Sequence, residues 1–252
     1  MLFSMSKQKK LTELLHFQRR RLSNKMRIYA VNCDKGRADR LYSAAASLHL
    51  DMVLVASPLA DSEEVVRRGK ACFERGTSYP TGCAATIGHL RALEQFVADG
   101  DPLGIIIEDD VRFHRDFVRI VDAMVPHMMR GETDVLSLGY VNIPLGERTW
   151  VGTELIIRTV GVSNPWGAQC YMVTRAYAAF LVNMFREDDL SLPYTNHFVT
   201  DWVLFDPANG CRRDTLIFPI AIESPDEQTI AGSTNKPNII EQCALNPADF
   251  HL

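Results

Sequence analysis

The run Gly104-Ile105-Ile106-Ile107-Glu108-Asp109-Asp110-Val111 constrains this chain more than any other segment. Its apolar half reads as a buried strand, and the strand ends in three consecutive acids. Side chains alternate along a strand, so Glu108 and Asp110 are expected on one face and Asp109 on the other. Three carboxylates at one strand end repel one another unless something positive sits among them. Carboxylate oxygens suit a hard divalent cation, Mg²⁺ or Mn²⁺, better than zinc, and such a cation can in turn hold a diphosphate. The alternative is that the acids merely end a strand in solvent.

The elements around this strand alternate. Arg27 to Asn32 reads as a first strand. Gly36 to Leu48 reads as a helix with Leu41, Ala44, Ala45 and Leu48 on one face. A short Val-rich strand follows at Met52 to Ala56. Asp61-Ser62-Glu63-Glu64 is an acidic helix start of the kind the macrodipole favours. Gly82 to Ala98 has Ile87, Leu90, Leu93 and Val97 at helical spacing, and Asp99-Gly100-Asp101-Pro102 is a turn. After the acid-ended strand, His114 to Met129 reads as a helix and Asp134 to Gly139 as a strand. Such alternation predicts helices packed on a largely parallel sheet. Beyond about residue 140 the pattern changes. A β-hairpin or meander is expected over Gly146 to Gly161, a strand over Gln169 to Thr174 and a helix over Arg175 to Phe185. Residues 186–200 read as a loop ending at Asp201-Trp202, and the Pro-, Asn-, Ser- and Gly-containing tail from Glu223 reads as loop.

The chain has 252 residues, 46% of them hydrophobic and 23% charged, which is enough for one large α/β domain or two small ones. Its net charge of −4 gives no global attraction to nucleic acid or to an anionic membrane. The charge is uneven, however. Residues 1–25 form a basic extension that includes Lys7, Lys9, Lys10, Arg19, Arg20 and Arg21 against the single acid Glu13. The apolar stretch Leu11 to Phe17 is too short and too interrupted to span a membrane and has no signal-peptide core. Leu11, Leu14, Leu15 and Leu22 can form one face of a basic amphipathic helix resting on an anionic surface; the alternative is a solvated extension. The six cysteines show no CxxC pair and no zinc spacing, which fits free thiols in a reducing, cytoplasmic setting.

Ligands of open α/β sheets bind beyond the carboxyl ends of the strands. The first strand ends there too, in Asn32-Cys33-Asp34-Lys35-Gly36-Arg37-Ala38-Asp39-Arg40. Asn32, Arg37 and Arg40, set at a helix N-terminus, are candidate anion or nucleotide contacts; the alternative is a surface loop. No Gly-rich dinucleotide fingerprint and no Walker A motif occurs. Gly82 to Leu90 is a small-residue helix with one histidine, His89.

Four blocks, in order, resemble the glycosyltransferase family 25 proteins, which include lipopolysaccharide-type sugar transferases and collagen galactosyltransferases. The first block is Val31-Asn32-Cys33-Asp34 with Arg37 and Arg40. The others are Gly82-Cys83 with Gly88-His89-Leu90, then Ile107-Glu108-Asp109-Asp110-Val111, then Gly167 to Arg175. Thr200-Asp201-Trp202 is similar to a further family element, and the resemblance spans about residues 27 to 235. Two positions depart from the pattern: Gly88 stands where a serine is usual, and Val199-Thr200 where a proline precedes the late aspartate.

The resemblance implies a GT-A-like, Rossmann-type α/β domain over residues 26–252. Its mostly parallel sheet is flanked by helices, with a nucleotide-sugar half at about 26–140 and an appended acceptor-side β/α region at about 141–235. It implies a DxD-like acidic motif in which Asp110 holds Mn²⁺ or Mg²⁺ against the donor diphosphate, while Glu108 contacts the donor ribose or shares the metal. Asn32, Arg37, Arg40, His89, Glu108 and Asp109 would line the donor, and a UDP-sugar is the expected donor.

 An inverting transfer also needs a carboxylate base beside the acceptor hydroxyl. Asp201 is the first choice and Glu223 the second, while an N-cap is the structural alternative for Asp201. Trp150, Trp166 and Tyr171 are candidate sugar-stacking aromatics, Trp166 foremost, with burial in the core as the alternative.

The expected activity is thus metal-dependent transfer of a sugar from a nucleotide-sugar to a hydroxyl of a glycan or protein, with no nucleic-acid partner. Two other classes stay open. One is a non-catalytic carbohydrate or nucleotide binder on the same scaffold. The other is a metal-dependent phosphohydrolase or nuclease, against which stand the late position of the acids and the lack of a nearby lysine.

Overall fold

The structure is a computed structural model that describes residues 26–32, 34–142, 144–159, 166–186, 199–224, 239 and 243–251. The basic extension and most of the tail after Glu223 lie outside the described residues.

Eight strands form the main sheet. They are β1 (Arg27–Asn32), β2 (Asp51–Ala56), β3 (Leu103–Glu108), β5 (Val135–Gly139), β6 (Gly146–Val151), β7 (Glu154–Thr159), β8 (Cys170–Thr174) and β9 (Arg213–Leu216). Their order is β2-β1-β3-β8-β5-β9-β7-β6. Strands β2, β1 and β3 are parallel, as are β5 and β9, whereas β8 runs antiparallel between β3 and β5. Only β7 shares the direction of β8, so the sheet is mixed but mostly parallel.

Alternation along β1 and β3 explains the layers. Tyr29, Val31 and Ile106 face one core with Ile87, Leu93 and Phe96 of α3 (Pro80–Asp99). Ile28, Ala30, Ile105 and Ile107 face the opposite core. That core is completed by Leu41 and Ala44 of α1 (Lys35–Ser47) and by Phe117, Ile120 and Met124 of α4 (Phe117–Met128). Each fully buried side chain of this size is worth about 1.5–3 kcal/mol. The helix starts are capped as their sequences require. Asp34 accepts from the Arg37 N–H at 2.9 Å, and Ser62 accepts from Val65 at the start of α2 (Glu63–Glu74). Thr174 caps α5 (Arg175–Met184) in the same way. Cys72, Cys83, Cys170, Cys211 and Cys243 are free thiols.

The expected α/β sheet flanked by helices is therefore present, with three local corrections. The acid-ended strand stops at Glu108, Asp109 and Asp110 form a turn, and β4 (Val111–His114) follows. The expected helix from His114 accordingly begins at Phe117. Residues 213–216 and 221–223, not anticipated as strands, are β9 and β10 (Ala221–Glu223). β10 and β11 (Phe250–His251) flank β4 in a small antiparallel sheet, so Glu223 opposite Val111 lies in a strand and not in a loop.

Candidate functional site

The site is built where β1 and β3 end. Asp109 turns back toward the β1–α1 connection. Its carboxylate accepts from Asn32 Nδ2 at 3.0 Å, from Arg37 Nη1 at 3.1 Å and from the Asp34 N–H at 3.3 Å. The same Arg37 nitrogen lies 3.9 Å from Asp110 Oδ2. One guanidinium thus offsets the repulsion between two adjacent buried carboxylates. Asn32, Arg37 and Asp109, expected to line a donor, are brought together and bond one another. They clasp the acidic turn to the first helix. Arg40 lies farther along α1 on its exposed side.

Glu108 belongs to a second cluster. His89 of α3 is fully buried, with Nδ1 3.1 Å from the Tyr171 hydroxyl and Nε2 3.4 Å from Glu108 Oε1. The Glu108 N–H donates to the Gln169 carbonyl at 2.9 Å, so the segment leading into β8 sits against the acid-ended strand. In that segment the Gly167 N–H donates to Asp201 Oδ2 at 3.2 Å. Asp201 lies in the first turn of α6 (Thr200–Phe205), whose N-cap is Val199, so it is not itself the cap.

Burial pushes the Asp201 carboxyl up to about 6, and the Glu108 charge adds to the rise. Arg213, the Gly167 N–H and His89 oppose it. Asp201 is half-buried as a residue, but its carboxyl group is enclosed. Arg213 is buried on β9, its guanidinium 4.1 Å from the centre of the Phe205 ring, and Nε donates to Ser137 Oγ at 2.8 Å. Burial lowers this guanidinium to about 10, so it stays charged at neutral pH. A carboxyl that titrates near neutrality beside a fixed cation is equipped to accept a proton. Glu223 is placed differently: it is half-buried in β10, and the next residue's N–H donates to the Asp110 carbonyl at 2.7 Å.

Among the described residues, no three His, Cys, Asp or Glu side chains converge as a metal cage. Glu108 and Asp110 nevertheless supply hard oxygen donors at one strand end. That donor set fits a cation that takes one or two carboxylates and completes its shell with phosphate and water.

The three candidate aromatics separate. Tyr171 is buried, Trp150 is exposed on β6 at the far edge of the sheet, and Trp166 is exposed beside Gly167. Gln169 and Arg213 were not singled out from the sequence as site residues. Gln169 is 1% exposed, and neither atom of its amide has a hydrogen-bond partner among the described residues. Nothing in the local sequence marked Arg213, which is followed by Asp214 and Thr215 before the apolar run Leu216-Ile217-Phe218.

Gly88 has a packing reason. A Cβ there would lie 2.6 Å from Val31 Cγ1 and 2.8 Å from Ser57 Oγ. Ser57, after β2, occupies the space a serine at position 88 would need.

No family model matches the chain, and no curated protein matches it. Among solved structures, one similar chain is a glycosyltransferase involved in glycosylation of the major capsid of PBCV-1. The two share 8% identity over 80% of this chain and 95% of that one, with a TM-score of 0.43. Another is a UDP-glucose pyrophosphorylase complexed with UDP-glucose, at 8% identity over 78% of this chain and 75% of that one, with a TM-score of 0.37. At such identities no residue here takes a role from either protein. No helix among the described residues is long and apolar enough to cross a membrane.

Proposed function

We propose that this chain is a metal-dependent, inverting glycosyltransferase of GT-A type. It transfers a sugar from a nucleotide-sugar, a UDP-sugar by preference, to a hydroxyl of a glycan or protein. The observation that carries the reading is the enclosed Asp201 carboxyl, raised to about 6, electrostatically coupled to Glu108 at the carboxyl end of β3. In this reading Asp201 accepts the proton of the attacking hydroxyl. Asp110 and Glu108 hold Mn²⁺ or Mg²⁺. A bound cation of this kind offsets the charge that develops on a leaving diphosphate. Asp109, Asn32 and Arg37 keep the acidic turn in place, and Trp166 offers an exposed ring face for a sugar. The protein works in the cytoplasm, and its basic N-terminal segment provides a peripheral contact with anionic membrane.

The test is a thermal-shift screen of UDP-, GDP- and CMP-sugars with and without Mn²⁺, since a ligand of the folded state raises apparent stability. A Mn²⁺-dependent shift with a UDP-sugar is expected in the wild type and is lost in Asp110→Asn, whose neutral amide is a poorer ligand for a hard cation. An Asp110→Asn protein that folds normally and transfers sugar at the wild-type rate refutes the metal assignment.

A further inference from the structure

We infer that Tyr171 and His89 form a directed hydrogen-bond chain that positions the Glu108 carboxylate, both acting from within the core. The chain's chemical purpose rests on the transferase reading above; its existence does not. His89 and Tyr171 are 0% and 1% exposed, so neither touches a ligand directly. The Glu108 side chain is 31% exposed, so it has one side toward the core and one toward the site.

The direction follows from donor chemistry. A neutral imidazole carries one N–H. If Nδ1 carried it, the Nε2 lone pair would face the Glu108 carboxylate at 3.4 Å, two acceptors opposed in a poorly solvated place. With the proton on Nε2, that nitrogen donates to Glu108. Nδ1 then accepts from the Tyr171 hydroxyl at 3.1 Å. The phenol thereby selects the tautomer, as partners of the second ring nitrogen commonly do. Packing holds the donor still. The Tyr171 ring lies nearly parallel to the His89 ring, at 19° and 5.8 Å between centroids, and meets Phe205 of α6 edge-on at 5.5 Å. His89 and Tyr171 are therefore positioning residues, and Glu108 is the group that faces the ligand.

The wild-type protein decides the direction without any mutation. With ¹⁵N-labelled histidine, long-range ¹H–¹⁵N spectra report which ring nitrogen is protonated, and His89→Gln assigns the signal. A proton on Nε2 is expected, because that nitrogen faces the Glu108 carboxylate. A proton on Nδ1 with none on Nε2 overturns the chain.

The variants then separate positioning from packing. Glutamine places its amide nitrogen near Nε2 and asparagine near Nδ1. His89→Asn and Tyr171→Phe are expected to raise the KM for UDP-glucose or UDP-galactose with Mn²⁺ by about 10–100-fold, the usual cost of losing a partner behind a ligand-holding carboxylate. His89→Gln recovers most of that loss. Equal KM values for the glutamine and asparagine variants, at equal folded fraction, overturn the positioning role. Failure of the wild type to bind any UDP-sugar refutes the transferase reading instead, and the tautomer still decides the chain.

Discussion

Asp201→Asn distinguishes what the carboxyl does for the fold from what it does for chemistry. Burial holds this group up to about 6, against an ordinary 3.8. A raised carboxyl pKa means that the protonated form suits the fold. The stability linked to it is complete below about pH 4 and is lost as the pH rises through about 6. Above pH 7 the ionised group therefore costs the fold up to about 3 kcal/mol. Asparagine is neutral and keeps an oxygen for the Gly167 N–H. The variant should match the wild type near pH 4 and exceed it by about 2–3 kcal/mol at pH 8. Its turnover should fall by about 10²–10⁴-fold while donor affinity is kept. Urea denaturation across this pH range and sugar-transfer rates check the two halves separately. No pH-dependent gain in stability means the carboxyl is not held up as described. A gain with full activity means that Asp201 is not the base. If Glu223→Gln is instead the crippling change, the base is Glu223.

Packing at two glycines gives the remaining expectations. Gly88→Ser should lower stability by about 1–3 kcal/mol, the usual cost of overpacking. Adding Ser57→Gly should restore part of it, because Ser57 is one of the two side chains the new Cβ meets; paired denaturation curves check this. Gly167→Ala should cost about 1–3 kcal/mol through its φ of +112°. Because the Gly167 N–H holds the Asp201 carboxyl down, strain that weakens this bond should move the pH midpoint of activity upward; a pH–rate profile reads it.

The fold was legible where one period ran long enough to read. β1, α1, β2, α3 and the β6–β7 hairpin lie within a few residues of their expected bounds because apolar spacing defined them. β4, β9 and β10 have only four, four and three residues, too few for alternation to register. In β9 the polarity was also misleading. Arg213 and Asp214 sit in a buried strand where distant residues meet them: Ser137, 76 residues away, accepts from Arg213 Nε, and His127, 87 residues away, reaches Asp214 Oδ2. Long-range compensation of that kind leaves no local pattern.

For the site, residue types were legible and their allocation was not. Carboxylates at a strand end announce charge chemistry, but only the fold assigns Asp109 to Arg37 and Asn32 and leaves Glu108 facing outward. Helix α3 explains the allocation. Its small residues let it lie close against β1 and the end of β2, as Gly88 against Val31 and Ser57 shows. Thr86 and His89, three residues apart, share a helix face. Thr86 Oγ1 lies 3.3 Å from Thr200 Oγ1, next to Asp201 in the chain, while His89 reaches Glu108. One rigid helix thus ties the element bearing the candidate base to the strand bearing the candidate metal acid. The separation of the two carboxylates is set by backbone packing, so a substitution that moves α3 should disturb both together, and one that alters either carboxylate alone should not.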